Sequence, residues 1–266
     1  MNNWTKLSAE FAGQRNYLDE LYKVYPITPN LRRELPKNKE NLIRESFINQ
    51  ENITLVTNLL DLELFPIKDS YVAYLKRDRT SINRNPQTIN RIAGNLFQMG
   101  IEDIIEKCTE PKETNRQIGP MFKQWVDKGT IGVKVFKNVA DFIAYDDNCI
   151  LNTSDNEMMK FATEHLGFAR EKGLDFIAKF NNKYVIGETK FLTDFGGHQN
   201  AQFEDAIQTM NAIKRTKGIK HEVVSISIMD GVLYIEGNNK MYRYLTNNPG
   251  QIIISALLLR EFLYSL

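Results

Sequence analysis

The feature that most constrains the fold is a pair of β-type segments joined by two asparagines. Leu174 to Phe180 and Lys183 to Phe191 are rich in aromatic and β-branched residues. The Asn181-Asn182 dipeptide between them tolerates the positive φ angles of a two-residue hairpin turn. A two-residue turn fixes the register of the two strands, so the cross-strand partners follow from the sequence.

That register places two acidic residues opposite each other. Asp175 faces Glu188, and directly opposed side chains have Cβ atoms about 4.5 to 5.5 Å apart. Two carboxylates at that separation repel each other unless a cation lies between them. Because side chains alternate along a strand, Lys190 projects on the same side as Glu188, while Thr189 points to the opposite face.

Two carboxylates and one ammonium group suit the hydrolysis of phosphodiesters. Mg²⁺ takes hard oxygen ligands, keeps several waters and bridges carboxylates to phosphate oxygens. A lysine beside a metal-bound water helps to orient or deprotonate the nucleophile and offsets charge that builds on phosphorus. The sequence therefore predicts a site in which Asp175 and Glu188 bind Mg²⁺ and Lys190 assists catalysis.

The acid-x-Lys tripeptide is a weak signal by itself. Glu110-Pro111-Lys112 is a second copy, although it lies in a polar, proline-containing segment without a strand pattern. The alternative interpretation of Glu188 and Lys190 is a surface hairpin with a cross-strand salt bridge. The acid placed across the hairpin favours the catalytic interpretation.

The rest of the chain is predicted to fold as an α/β protein with a helical first part. Residues 1–150 show apolar residues at helical spacing between proline breaks, including a helix that starts at Asn85-Pro86 and ends near Gly100 and a second from Ile101 to Cys108. A polar stretch from Asp147 to Asp155 predicts the connection to a second part, residues 151–266. That part contains strands and helices in alternation, which predicts a sheet flanked by helices.

Four elements surround the hairpin in the predicted second part. Ser154 or Asp155 caps a helix before it, and a helix from about Gln199 to Lys214 follows it. A strand from Glu222 to Met229 then has a predicted hairpin partner at Val232 to Glu236. A last amphipathic helix is predicted from Pro249 to about Tyr264.

Composition excludes several classes of protein. The 34 Lys and Arg residues nearly balance the 33 Asp and Glu residues, so a nucleic-acid surface must be a local patch. Two cysteines, Cys108 and Cys149, exclude a disulfide framework and a cysteine-rich zinc site. The N-terminus has no secretory pattern and no apolar run is long enough to span a bilayer, so we expect a cytoplasmic protein without a membrane partner.

The residues of the hairpin resemble the PD-(D/E)XK nuclease superfamily. The resemblance rests on Gly173-Leu174-Asp175-Phe176 and Val185-Ile186-Gly187-Glu188-Thr189-Lys190 between two helices, and it covers about Asp155 to Met229. Leu174 replaces the proline of the superfamily motif. The long helical first part and the segment from Gly196 to Gln202 make the chain similar to a type II restriction endonuclease.

The resemblance implies both fold and activity. It implies a mixed-sheet PD-(D/E)XK core in residues 151–266 and a DNA-recognition and dimerisation region in residues 1–150. Asp175 and Glu188 would bind Mg²⁺ and Lys190 would assist the attacking water. An extra acid would come from the preceding helix, where Glu157 and Glu164 are available and Glu157 is preferred. The implied partners are double-stranded DNA, a second copy of the chain and, in the same system, a cognate DNA methyltransferase.

A local basic patch is the best candidate for DNA contact in the first part. Between Lys76 and Arg91 the sequence holds five basic residues against Asp78 alone, with amide and hydroxyl residues between them. The alternative interpretation of this patch is a solvated loop and helix face. The alternative interpretation of the amide residues after Lys190 is the polar first turn of a helix. The predicted DNA-binding residues are Arg77, Arg79, Arg84, Arg91, Asn115, Arg116, Gln199, Asn200 and Gln202.

Three functions are compatible with the sequence. The first is a type II restriction endonuclease that cuts double-stranded DNA at a short specific sequence. The second is a repair or junction nuclease of the same superfamily that recognises DNA structure. The third is a DNA-binding protein that kept the fold without catalysis, which would bind DNA without Mg²⁺ and leave it intact.

Overall fold

The chain forms two compact units. A computed structural model describes residues 1–26, 32–111, 117–214 and 221–266. One unit combines Met1–Ile27 with Thr114–Leu266, and the other is Thr28–Glu113. This division differs from the boundary expected near residue 150, because residues 117–148 supply two helices and one strand to the first unit.

All the regular secondary structure described in the second unit is helical. The helix predicted from Asn85-Pro86 runs from Pro86, a favourable first residue, to Met99, and Gly100 follows it with a φ of 87°. The helix predicted from Ile101 to Cys108 has those bounds. In chain order, after α1 (Asn3–Ala12) and α2 (Tyr17–Val24) of the first unit, the helices of the second unit are α3 (Lys37–Ile48), α4 (Asn52–Leu60), α5 (Ser70–Arg77), α6 (Ser81–Arg84), α7 (Pro86–Met99) and α8 (Ile101–Cys108).

A mixed β-sheet is the centre of the first unit. Its six described strands lie side by side in chain order. The β1–β2, β4–β5 and β5–β6 pairs are parallel, whereas β3 is antiparallel to both β2 and β4. The strands are β1 (Lys134–Phe136), β2 (Cys149–Leu151), β3 (Phe176–Phe180), β4 (Lys183–Leu192), β5 (Glu222–Gly231) and β6 (Ile252–Ile254).

Helices cover both faces of this sheet. One face packs against α2, α9 and α14 in a single apolar core. The other face has two cores, one under α10 and α11 and one under α12 and α13. No helix in the described ranges is both long enough and apolar enough to cross a membrane. The remaining helices are α9 (Ile118–Asp127), α10 (Val139–Ala144), α11 (Asp155–His165), α12 (Gly197–Met210), α13 (Lys240–Asn247) and α14 (Leu259–Tyr264).

The sequence-based prediction was wrong for two segments near the C-terminus. Val232–Tyr234 is a 3₁₀ turn and not a hairpin strand. The predicted helix from Pro249 begins as strand β6, then continues as a 3₁₀ turn and the short helix α14. Three consecutive isoleucines suit a buried parallel strand, and pairing with β5 outweighs the helical spacing of the wider segment.

A buried carboxylate joins α2 to the sheet. Asp230 of β5 is fully buried and accepts hydrogen bonds from the hydroxyls of Tyr17 (3.3 Å), Tyr25 (2.9 Å) and Ser255 (2.5 Å) and from the backbone N–H of Ala256 (3.2 Å). Burial raises the pKa of Asp230 to about 6, although these donors oppose the change. This network joins α2, β5 and the segment after β6, and no local sequence pattern predicts it.

Candidate active site

The predicted hairpin and its register are confirmed. Both asparagines of the turn have positive φ angles, 47° and 64°, as a two-residue hairpin turn requires. Pairing runs from Phe180 opposite Lys183 to Phe176 opposite Gly187. One residue further, the Asp175 backbone N–H donates to the carbonyl of Gly187 at 3.2 Å, so Asp175 lies at the open end of the hairpin beside Glu188.

Glu188 and Lys190 lie together on one face of β4. The Lys190 ammonium contacts Oε1 of Glu188, and only 2% of the Glu188 side chain is exposed. This face continues into Ile186 and Leu192, which belong to the cores under α11 and α12. Glu188 and Lys190 therefore form a charged layer between two apolar cores.

Three further charged residues complete this layer. The Lys172 ammonium lies 2.5 Å from Oε1 and 2.7 Å from Oε2 of Glu188, and it also contacts Oδ2 of Asp205 on α12. Arg170 lies 2.5 Å from the other oxygen of Asp205. Sequence reasoning missed these residues. The available signal was the charged run Arg170-Glu171-Lys172 directly before Gly173.

Asp175 is held in an environment that disfavours its charge. Its Oδ2 accepts a hydrogen bond from the backbone N–H of Thr189 at 2.9 Å. Burial raises the pKa of Asp175 to about 6; the Thr189 hydrogen bond and the charge of Lys190 oppose this change, whereas Glu188 and Asp155 add to it. A nearby cation would favour the charged form of this carboxyl group.

Asp175 and Lys190 line a cavity of about 260 Å³, whereas Glu188 is not among its lining residues. Gly119 of α9 lies directly above Asp175, where a Cβ atom would be 3.1 Å from Oδ1 of the carboxylate. Gln202, one of the predicted DNA-binding residues, lines the cavity, and its amide lies 2.9 Å from the ring of His198. The lining residues are Ile118, Gly119, Pro120, Asp155, Asp175, Thr189, Lys190, Phe191, Gln202 and Asp205.

The acid from the preceding helix that lines this cavity is Asp155. Glu157, which the sequence favoured, accepts hydrogen bonds from the hydroxyls of Thr153 and Ser154. The Ser154 hydroxyl oxygen in turn accepts a hydrogen bond from the backbone N–H of Glu157 at 3.3 Å and so caps the start of α11. Asp155 lines the cavity and pairs with Lys123. The sequence does not separate these two acids because both lie in the first turn of one helix.

The other two amide residues after Lys190 have structural partners. Gln199 is buried, and its side-chain oxygen accepts a hydrogen bond from the Thr193 N–H at 3.2 Å. Asn200 donates from its amide to the carbonyl of Phe195 at 2.7 Å. Both side chains therefore close the loop that leads into α12, and neither lines the cavity.

The four described arginines that were predicted to bind DNA are all exposed in the second unit. Arg79 pairs with Asp61 at 3.0 Å. Arg77 is exposed at the end of α5 and has no ion-pair partner among the described residues. Asn115 and Arg116 lie outside the described residues.

Arg84 and Arg91 lie near exposed tyrosines. Arg84 pairs with Asp78 at 2.6 Å and Arg91 with Asp69 at 2.7 Å. The Arg91 guanidinium also lies 5.2 Å from the centre of the Tyr71 ring. A surface cavity of about 480 Å³ opens here, lined by Tyr71, Tyr74, Leu75, Ser81, Arg84, Asn85 and Thr88.

The site holds carboxylates without a preassembled metal cage. The described residues include no group of three or more His, Cys, Asp or Glu side chains arranged to hold a metal ion. Lys172 and Lys190 already contact the oxygens of Glu188. The acids near the cavity are thus balanced by ammonium groups in this structure.

Comparison with protein-family models defines the class of this protein as a restriction enzyme. A model described as "Tsp45I type II restriction enzyme" matches residues 2–266. The chain belongs to this Tsp45I family, and it is a site-specific deoxyribonuclease. No curated protein and no solved structure matches the chain. Family membership favours the first of the three functions considered from the sequence.

Proposed function

We propose that the chain hydrolyses double-stranded DNA at a short specific sequence through a Mg²⁺-dependent site of the PD-(D/E)XK type, formed by Asp175, Glu188 and Lys190. The observation that carries this proposal is the Glu188–Lys190 ion pair beside Asp175, at the end of a hairpin that opens into a cavity. The match to a type II restriction enzyme family over residues 2–266 supplies the substrate class.

The residues present fit a divalent ion. Type II restriction enzymes generally need one, and the carboxylates of Asp175 and Glu188 are the hard oxygen ligands that Mg²⁺ prefers. Gly119 leaves space above Oδ1 of Asp175 that a Cβ atom would fill. When bound, Mg²⁺ would supply Lewis acidity to the phosphate and lower the pKa of a bound water.

The protein groups have separate tasks in this mechanism. The Thr189 N–H holds one oxygen of Asp175, which leaves Oδ1 directed toward the space under Gly119. The Lys190 ammonium lies at the same cavity, where it would stabilise negative charge that develops on the phosphate oxygens. Asp175 and Glu188 would hold the ion, and Lys190 would orient the attacking water.

Two surfaces are proposed to contact DNA. In the first unit Gln202 lines the cavity, where its amide can hydrogen-bond a base or a phosphate oxygen. In the second unit Arg77, Arg84 and Arg91 are exposed, and Tyr71 is exposed beside them. Arginines reach phosphates and guanine edges, and a paired arginine can exchange its carboxylate partner for a phosphate. The partners of Gln199, Asn200 and Arg79 support structural roles for these three residues.

The proposed enzyme acts as a dimer, in a reducing compartment, together with a DNA-modifying enzyme. Two copies related by the dyad of a symmetric DNA site are the simplest way to cut both strands, so we propose a homodimer. A DNA methyltransferase of the same system would protect host DNA. Both cysteines are free and buried, which supports a reducing compartment such as the cytoplasm.

The experiment that tests this function is plasmid cleavage by three variants. Glu188→Gln and Lys190→Met should lower the cleavage rate with Mg²⁺ at least about 100-fold, since each removes a charge needed in the transition state. Both should still bind the same DNA in Ca²⁺. Glu164→Gln is the matched control, because Glu164 is an exposed acid on α11, and it should cleave at the wild-type rate.

Sequencing the ends of the wild-type product tests the specificity. One repeated short sequence at every cut supports the proposal, whereas cuts that follow junctions or nicks support the structure-specific alternative. Full cleavage by Glu188→Gln would show that the site is assigned to the wrong residues.

A further inference from the structure

Lys172 lies between two acids of the site. Its ammonium contacts both carboxylate oxygens of Glu188, at 2.5 and 2.7 Å, and Oδ2 of Asp205. It belongs to the loop between α11 and β3, and about a quarter of its side chain is exposed. Lys172 therefore contacts two anionic partners at the same time.

Both oxygens of Glu188 are occupied by ammonium groups. Oε1 contacts Lys172 and Lys190, and Oε2 contacts Lys172. A divalent ion on Glu188 would lie within a few ångströms of these charges, and like charges at such a separation repel each other. Binding an ion to Glu188 therefore requires at least one ammonium group to move.

Lys172 can move at lower cost than Lys190. Lys190 is fixed in β4 and lines the cavity. Lys172 can give up Glu188 and keep its contact with Asp205, whose other oxygen is held by Arg170. A buried carboxylate needs a partner when no ion is bound, because an unpaired buried charge is strongly destabilising.

We propose that Lys172 is a positioning residue that competes with the metal ion for Glu188. Its ammonium holds Glu188 in the metal-free enzyme and remains on Asp205 when an ion occupies the carboxylate. This inference rests on the proposed function, because it takes Glu188 as a metal ligand. Lys172 then determines the metal concentration at which the site fills.

Metal affinity of the full-length, DNA-free protein tests this competition. Mn²⁺ is titrated, and free Mn²⁺ is measured by electron paramagnetic resonance, so that the readout does not depend on cleavage. Lys172→Met should bind Mn²⁺ about tenfold more tightly, because a competing charge near the ligand is removed. Lys172→Arg keeps that charge and should stay within about threefold of the wild type.

Variants at Asp205 distinguish competition between Lys172 and the metal ion from a general effect of charge. Asp205→Asn removes the second partner of Lys172, so Lys172 should hold Glu188 more firmly and Mn²⁺ affinity should fall several-fold. In the double variant Lys172→Met/Asp205→Asn, the Asp205 change should have no further effect on the Mn²⁺ Kd, because the Lys172 ammonium through which it acts is absent. An equal loss of affinity in both backgrounds would mean that Asp205 acts on the ion directly, and would overturn the inference.

A purely structural role for Lys172 gives a different result. Lys172→Met would then lower the melting temperature and leave the Mn²⁺ Kd unchanged, which also overturns the inference. Lys240→Met is the matched control, because Lys240 pairs with the exposed Glu204 on the same helix as Asp205 and should leave Kd unchanged. If Lys172→Met does not fold, Lys172→Gln, which also removes the charge, replaces it in both the single and the double variant.

Failure of the proposed function is recognised separately. In that case Glu188→Gln binds Mn²⁺ as tightly as the wild type, or the wild type binds none, and the inference about Lys172 is overturned with it. When Glu188→Gln loses Mn²⁺ but Lys172→Met is unchanged, the metal site stands and only the competition is refuted.

Discussion

Replacing Asp175 with asparagine should stabilise the fold while it abolishes cleavage. Burial raises the pKa of Asp175 from 3.8 to about 6, so the ionised form costs folding free energy at neutral pH. Asparagine has no charge to bury, and its oxygen can still accept the hydrogen bond from the Thr189 N–H. The variant removes the cost of ionisation and keeps the contact.

The size of this effect follows from the two pKa values. The interval between 3.8 and about 6 corresponds to about 3 kcal/mol. Solvent in the open cavity screens part of this cost, so we expect Asp175→Asn to raise the free energy of unfolding by about 1 to 2 kcal/mol at pH 7.5. The gain requires that no metal ion is present, since an ion would favour the charged carboxylate.

The pH dependence has a definite sign. Above pH 6 Asp175 is ionised in the folded and the unfolded chain, and the full cost applies. As pH falls from 6 toward 3.8 the folded chain takes up its proton first, so the wild type recovers stability relative to the variant. The difference should shrink to about a third of its neutral value at pH 4.5.

Urea unfolding of both proteins at pH 7.5 and pH 4.5, with a chelator present, measures this difference. Glu164→Gln is the control for loss of an exposed acid and should change the unfolding free energy by less than about 0.5 kcal/mol at either pH. The reasoning is refuted if Asp175→Asn is no more stable than the wild type at pH 7.5, or if its gain is the same at pH 4.5.

Two further changes test the surroundings of the site. Gly119→Ala should lower the cleavage rate at least about tenfold, because its Cβ would lie 3.1 Å from Oδ1 of Asp175. Its melting temperature should be unchanged or higher, since alanine favours a helix. An unchanged cleavage rate would contradict the proposed position of the metal ion. Tyr25→Phe should lower the free energy of unfolding, measured in urea, by about 1 to 3 kcal/mol, because Asp230 loses a buried hydrogen-bond donor at 2.9 Å. A loss below about 0.5 kcal/mol would show that the hydrogen bonds to Asp230 are not important for stability.

Local sequence signals predicted the elements that depend on nearby residues. The Asn181-Asn182 turn fixed the hairpin register, and this register brought Asp175 beside Glu188. Pro86 and Gly100 marked the ends of α7. Ser154 marked the start of α11 by its capping hydrogen bond. Each of these signals acts within a few residues of chain, where backbone geometry alone decides the outcome.

Contacts between distant residues were not predictable in the same way. Lys172 and Asp205 are 33 residues apart, and Tyr25 and Asp230 are 205 apart. Charged residues at such spacings are common in any sequence, so their meeting depends on how α12 and α2 pack on the sheet. The same holds for Ile252–Ile254, which became a strand because β5 offered a buried edge.

By itself the sequence determined the hairpin, its register and the acid pair with the following lysine, because a two-residue turn leaves the chain one pairing to adopt. Tertiary structure decided which other charges surround that pair: Asp155 and not Glu157 lines the cavity, and Lys172 contacts both Glu188 and Asp205. The physical reason is that a buried carboxylate must be balanced by some cation, and packing of separate elements selects which one.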